Sequence, residues 1–194
     1  MSTDSTQVVV IGGGPAGYAA AFCAADLGLQ VTLVDLDTNP GGTCLYRGCI
    51  PSKALLHVAK VIHEAQDAAH FGLTFAPPKI DVDRVREATQ EVVNKMTGGL
   101  GQLCKARKVT FIQGRGSFID SNTLHISYTN GKTSKLAFEY AIIATGSRPA
   151  TLPHLMIESK RMMNSTSALE LKDIPKTLLV IGGGYIGLEL TTVY

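Results

Sequence analysis

The sequence predicts an α/β fold: a parallel sheet with flanking helices and a small β-meander, followed by the first strand, turn and helix of a second α/β unit. Three observations predict it. A short apolar run, Val8-Val9-Val10-Ile11, ends at Gly12-Gly13-Gly14-Pro15. The same pattern returns from Thr177 to Gly187. Between the two lie long stretches of helical period, then several short apolar runs set apart by turn residues.

Taken in order, Val8 to Ile11 reads as a strand buried on both faces. Pro15 to Gly28 reads as a helix with Gly28 as its stop, and Val31 to Asp35 as the second strand of a βαβ unit. Ala54 to His70 reads as a helix, broken by Phe71-Gly72 and Pro77-Pro78. Asp81 is placed to cap a helix running to about Lys105, with an apolar stripe of Val82, Val85, Val92, Met96 and Leu103. Strands are expected at 109–112, 117–119, 123–128, 136–138 and 140–144, the last of them buried, with Asn130-Gly131 as a hairpin turn. Residues 148–175 read as a connector. Thr177 to Ile181 should be a strand entering the turn Gly182-Gly183-Gly184, with a helix after it. A strand with no partner of its own suggests the N-terminal piece of something longer.

Composition narrows the class. In 194 residues, 45% hydrophobic, a net charge of +2 argues against both disorder and a nucleic-acid surface. The uncharged run Val8 to Ala25 is interrupted by glycines and proline and has no basic anchor, as a membrane span or signal peptide would need. A cytoplasmic chain is the expectation.

Gly12, Gly14 and Gly17 satisfy G-x-G-x-x-G between a strand and a helix. Such glycines allow a tight turn, close approach of a pyrophosphate and close helix packing, as in Rossmann-like dinucleotide sites. The helix start offers N–H groups to the anion. Asp35, closing the second strand, is placed to take ribose hydroxyls. Gly182, Gly184 and Gly187 form a second copy, to which either a nucleotide or a purely structural turn can be assigned.

Of four cysteines, Cys44 and Cys49 have only four residues between them. A disulfide closing so small a loop contributes about 2 kcal/mol through chain entropy, a poor staple but a reasonable redox switch. A metal site would need two further ligands, and His57 and His63 give no zinc spacing, so no metal is assigned. Two idle thiols are the remaining alternative. Cys23 and Cys104 read as small buried apolar groups, and His57, His63 and His70 as solvated helix residues.

The stretch Gly41 to Lys53, preceded by Gly12 to Gly17, resembles the FAD-dependent pyridine nucleotide–disulfide oxidoreductases. Ile142 to Pro149 is similar to that family's second flavin motif, and the resemblance covers essentially the whole chain. It implies an FAD-binding domain over 1–149, incomplete at its C-terminal part. Over 150–194 it implies a connector and the start of an NAD-binding domain, with no dimerisation domain.

Residue by residue, the resemblance makes Cys44 the interchange thiol and Cys49 the thiol against the flavin. Gly12, Gly14, Pro15, Ala16 and Gly17 would hold the FAD pyrophosphate, and Asp35 the adenosine ribose. Gly42, Thr43 and Cys44 would line the flavin, Gly116 the adenine side, and Thr145, Gly146 and Ser147 the cofactor again. Lys53 would lie near the flavin and pair with Glu189. Gly182, Gly184, Tyr185, Ile186, Gly187 and Glu189 would belong to the NAD side, with Tyr185 over the nicotinamide.

Cys49 to Leu56 and Gly187-Leu188-Glu189 are most similar to members that oxidise dihydrolipoamide on lipoyl domains of 2-oxo acid dehydrogenase complexes, as homodimers. Their acid–base histidine comes from a region this sequence does not contain, so little turnover is expected from the chain alone. A mercuric- or glutathione-type reductase, or a non-catalytic FAD-binding remnant, are the alternatives. Asp35 and Tyr46-Arg47 depart from the commoner glutamate and Asn-Val of the family.

Overall fold

The structure, a computed structural model, describes residues 4–155 and 157–194. Packing divides the chain into two compact units, one of Met1–Tyr46 with Asn94–Ser147 and one of Arg47–Val93 with Arg148–Tyr194.

The first unit contains β1 (Asp4–Ile11), α1 (Pro15–Asp26), β2 (Val31–Asp35), β3 (Thr110–Phe118), β4 (Thr123–Tyr128) and β5 (Thr133–Ile143). Four strands are parallel in the order β5-β1-β2-β3, with Val10 opposite both Leu33 and Ile142. β4 runs antiparallel to β3 and β5. Because β3 and β5 run through both the parallel sheet and the meander, the pairing closes into a ring.

β1 explains the uninterrupted Val-Val-Val-Ile run. Val8 and Val10 pack with Ala21 and Ala24 of α1, with Leu33, and with Cys104. Val9 and Ile11 point the other way, into Leu124, Ile126, Leu136 and Phe138 of the meander. A strand covered on both faces has no polar side to keep. Leu33 has no exposed surface, so its truncation to alanine would cost about 2–5 kcal/mol.

Two pairs of expected strands are single strands here. Residues 109–112 and 117–119 fuse in β3, and 136–138 and 140–144 fuse in β5. Within the continuous β3, Gly114 marks a close approach: a Cβ there would stand 2.8 Å from Ser127 O. The Asn130-Gly131 turn forms as expected, with Tyr128 N donating to Lys132 O at 2.9 Å and Gly131 at φ 82°.

The second unit is helical. α2 (Gly42–Arg47) crosses from the first unit into it. α3 (Cys49–Asp67) begins five residues earlier than expected and ends in a 3-10 turn, Ala68–Phe71. α4 (Val82–Ala106) also crosses the division, and Arg84 N donates to its capping Asp81 at 3.0 Å. α5 (Ser165–Leu169) starts with an Asn164–Ser167 capping box. α6 (Tyr185–Val193) packs on α3 and α5. The Tyr194 hydroxyl donates to Ala168 O at 2.8 Å, and Arg86 donates to the carbonyls of Leu171 and Lys172.

Four expectations are corrected. The end of β5, expected as a buried strand, is exposed at Tyr140, Ile142 and Ile143. Thr177 to Ile181 is not a strand: among the described residues of this unit there is no strand to complete its ladder, and Leu179 and Ile181 are exposed. The buried face of α4 is Thr89, Val93, Thr97 and Cys104, whereas Val92, Met96 and Leu103 of the expected stripe are exposed. Cys23 is exposed; only Cys104 is buried.

Candidate functional site

In the first unit, the C-terminal ends of β1, β2 and β5 bring three glycine-bearing turns together. Gly12 N donates to Val34 O at 2.8 Å, and Ala144 N donates to Ile11 O at 2.8 Å. Gly12 adopts φ +104°, and a Cβ there would overlap Ala144 O. A Cβ on Gly17 would overlap Gly12 O, and one on Gly42 would stand 2.5 Å from Gly14 Cα. Backbone therefore meets backbone where any side chain would intrude. This is the end of a parallel sheet at which ligands bind.

Two bonds fix the turn. Gly41 N donates to Gly13 O at 2.7 Å. Gly13 N donates to Asp35 Oδ2 at 2.5 Å, while Asp37 N donates to Asp35 Oδ1 at 2.9 Å. Asp35 thus stands at the rim of the turn, as the sequence suggested, with each oxygen already accepting one amide. The Tyr46 hydroxyl bridges Asn39 N and Asn39 O at 3.2 Å each, tying down the loop after β2.

The capping of the helices is uneven. α4 and α5 have side-chain caps. α1, α3 and α6 begin at Gly14, Gly48 and Gly184 with no side-chain cap. Their first-turn amides lack acceptors within their own helices, which leaves these starts available to an anion.

Within the second unit, the second glycine turn copies the first. Gly182 is at φ +120°, and Gly184 at φ −75°, ψ 173°, against φ −69°, ψ −178° for Gly14. A Cβ on Gly187 would overlap Gly182 O, as one on Gly17 would overlap Gly12 O. The turn and helix are formed although the strand before them is not. Tyr185 is exposed at the first position of α6, with Ile186 next to it.

Cys49 is the first residue of α3, with an exposed thiol. Lys53, one turn later on the same face, reaches Glu189 Oε1 of α6 at 3.0 Å. Ser52, buried, donates to Glu189 Oε2 at 2.5 Å. These two bonds, the serine's first and the lysine's second, hold the Glu189 carboxyl below its ordinary range. The expected Lys53–Glu189 pair is thus present, with a serine the sequence reading did not single out. A hydroxyl inside the first turn of an uncapped helix was the available signal.

Cys44, half-buried, lies on α2 in the first unit. Among the described residues no disulfide is formed. Thr43 is exposed and Gly42 buried. Gly116 sits in β3 opposite Ile126, with its Cβ direction toward Leu124, Val34 and Ile11. Thr145, Gly146 and Ser147 follow β5, with Gly146 at φ 69°. Gly13, Gly41 and Ala144 contribute to the turn without having been singled out. Among the described residues, no three of His, Cys, Asp and Glu gather as a metal site, and no helix is long and apolar enough to cross a membrane.

Comparison with known proteins agrees with this geometry. Residues 6–194 match the family model described as pyridine nucleotide-disulphide oxidoreductase. The chain is 54% identical over 189 residues to a dihydrolipoyl dehydrogenase of Haemophilus influenzae, covering 97% of this chain and 40% of that protein. It is 52% identical over 188 residues to the Vibrio cholerae dihydrolipoyl dehydrogenase, covering 97% and 39%. The crystal structure of LpdA from Mycobacterium tuberculosis superposes with a TM-score of 0.78 at 28% identity, covering 88% of this chain and 38% of that one. The chain spans about 40% of the length of the curated relatives it matches. With its glycine turns, Cys44 and Cys49 all inside a region matched from residue 6 to residue 194, the chain belongs to the pyridine nucleotide-disulphide oxidoreductase family.

Proposed function

We propose that this chain is the thiol-bearing and FAD-binding part of a dihydrolipoyl dehydrogenase, with Cys44 and Cys49 as its redox pair. One observation carries the reading. Cys49 opens an uncapped helix whose fifth residue, Lys53, is held by Glu189 on the helix that follows the second glycine turn. The contact joins the fifth residue of each helix, Lys53 of α3 and Glu189 of α6. The names of the most similar relatives support the substrate.

The first glycine turn fits a dinucleotide. Its crowding excludes a Cβ at Gly12, Gly17 and Gly42, and the uncapped start of α1 presents amides to a pyrophosphate. In this reading Gly12, Gly14, Pro15, Ala16 and Gly17 hold the FAD pyrophosphate and Asp35 the ribose. Gly42, Thr43, Gly116, Thr145, Gly146 and Ser147 complete the cradle. The second turn, with Gly182, Gly184, Tyr185, Ile186 and Gly187, receives NAD by the same chemistry.

Substrate oxidation is thiol–disulfide exchange. A thiolate of dihydrolipoamide attacks Cys44 Sγ of the Cys44–Cys49 disulfide; the S–S bond breaks and Cys49 leaves as thiolate. The second lipoyl thiolate displaces Cys44 and closes the lipoamide ring. One disulfide is lost and one gained, and the two substrate protons pass to a general base or water. FAD, when bound, would supply a two-electron acceptor for the thiol pair and hydride chemistry toward NAD+. Lys53, held by Glu189, keeps a positive charge on the Cys49 side of α3. The whole protein acts as a homodimer on lipoyl domains of a 2-oxo acid dehydrogenase complex.

Reconstitution of the purified chain with FAD tests the reading. Bound flavin that bleaches anaerobically with dihydrolipoamide is the expected result, in wild type and not in Cys44→Ser. Bound flavin that bleaches equally in Cys44→Ser would contradict it.

A further inference from the structure

We propose that Ser52 is a positioning residue that aims the Glu189 carboxylate at Lys53: its buried hydroxyl takes Oε2 and thereby presents Oε1 to the ammonium. Ser52 is 6% exposed, and its hydroxyl donates to Oε2 at 2.5 Å while Lys53 Nζ donates to Oε1 at 3.0 Å. The two oxygens of one carboxylate are thus divided between two adjacent residues of α3. Lys53 is long, its side chain is 61% exposed, and it has many rotamers. Serine has one short rotor, fixed by burial. The rigid bond therefore sets the carboxylate plane, and the flexible lysine follows it.

The geometry extends to Cys49. Lys53 is four residues along the same helix, so the two side chains share a face. A carboxylate free to turn about its own axis would offer its oxygens to that face in no fixed direction. With Ser52 in place, Oε1 is presented to the ammonium one turn along from the thiol. The functional consequence rests on the proposed flavin and disulfide chemistry, whereas the positioning itself does not.

The test reads Glu189 directly. Lys53 is the charged group facing it from α3. α5, the other helix packed on α6, carries Ser165, Thr166, Ser167, Ala168 and Leu169 and no titratable side chain. Carboxyl 13C NMR of the 194-residue chain follows Glu189 through its titration in wild type, Ser52→Ala, Ser52→Thr and Lys53→Met. The expected result is an upward shift of the Glu189 midpoint in Ser52→Ala, larger than in Lys53→Met, and recovery toward wild type in Ser52→Thr. A loss of thermal stability in Ser52→Ala with an unmoved Glu189 midpoint would make Ser52 a packing residue and overturn the proposal. Should Ser52→Ala fail to fold, Ser52→Thr and Ser52→Gly carry the same comparison, and equal midpoints in those two would overturn it. FAD binding is measured in parallel. A chain that ignores FAD yet shows the midpoint shift sinks the flavin reading and leaves the positioning role standing.

Discussion

The Gly13 amide donates to Asp35 Oδ2 at 2.5 Å, joining the end of β2 to the glycine turn after β1. Gly13 is buried, so its amide has little recourse to water. One carboxylate thereby braces the turn, and in the proposed reading it also takes the ribose.

Asp35→Ala should reveal both roles. The buried Gly13 amide loses its partner, at a cost of about 1–3 kcal/mol in urea unfolding. FAD affinity should fall roughly tenfold or more, the equivalent of one charged hydrogen bond. Asp35→Asn, which keeps an acceptor oxygen, should recover most of the stability and less of the affinity. Equal loss of both in the two variants would separate Asp35 from the ribose.

Gly17→Ala tests the close packing of α1 on its turn. The added methyl would overlap Gly12 O, and relieving that overlap must move the helix start or the turn. Overpacking of this kind costs about 1–3 kcal/mol, read from thermal or urea unfolding. Gly28→Ala meets no atom within 4 Å and fails through its φ of +88° alone, so its loss should be confined to stability, with FAD binding unchanged.

The Glu189 pair gives a pH dependence with a defined sign. Its folded pKa is lowered, first by the Ser52 hydrogen bond and then by Lys53. Its contribution is fully present above the ordinary glutamate value of 4.5 and is lost as pH falls through the lower folded value. Lys53 is exposed and Glu189 only partly buried, so solvent screening keeps the effect modest. Amide exchange along α6 should accelerate below that window in wild type and show less pH dependence in Glu189→Gln.

Thiol accessibility can be read in one experiment. Cys23 and Cys49 are exposed, and Cys104 is buried with its thiol pKa pushed up by burial. Native-state alkylation of the reduced chain should therefore label Cys23 and Cys49 quickly and Cys104 only on unfolding. Fast labelling of Cys104 would place the end of α4 outside the core that Val8, Val10 and Leu33 form.

Much of the first unit was legible in the sequence. An apolar run as short and unbroken as Val8 to Ile11, ending in glycine, has few alternatives to a doubly covered strand, and Asp35 follows from the next such run. What was misread had equal local signals. On α4, Val92 and Val93 both suit a core, and only the tertiary packing that buries Thr89, Val93 and Thr97 decides between them. Thr177 to Ile181 has strand chemistry, but a strand is a pairing rather than a property of five residues. Ser52 was missed because its hydroxyl carries no charge to pair, whereas the Lys53–Glu189 pair, equally distant along the chain, is implied by the family resemblance.

The most direct test of the central claim uses Arg47, which stands between the two cysteines. Trypsin cuts after it, so only a disulfide keeps the Cys44 and Cys49 peptides together. The tryptic Cys44 peptide also holds Cys23, so non-reducing mass mapping uses the air-oxidised, FAD-reconstituted Cys23→Ala chain; it should show these two peptides joined, and stoichiometric dihydrolipoamide should release them with both thiols alkylatable. Separate peptides after oxidation, or a link that dihydrolipoamide leaves intact, would contradict the account.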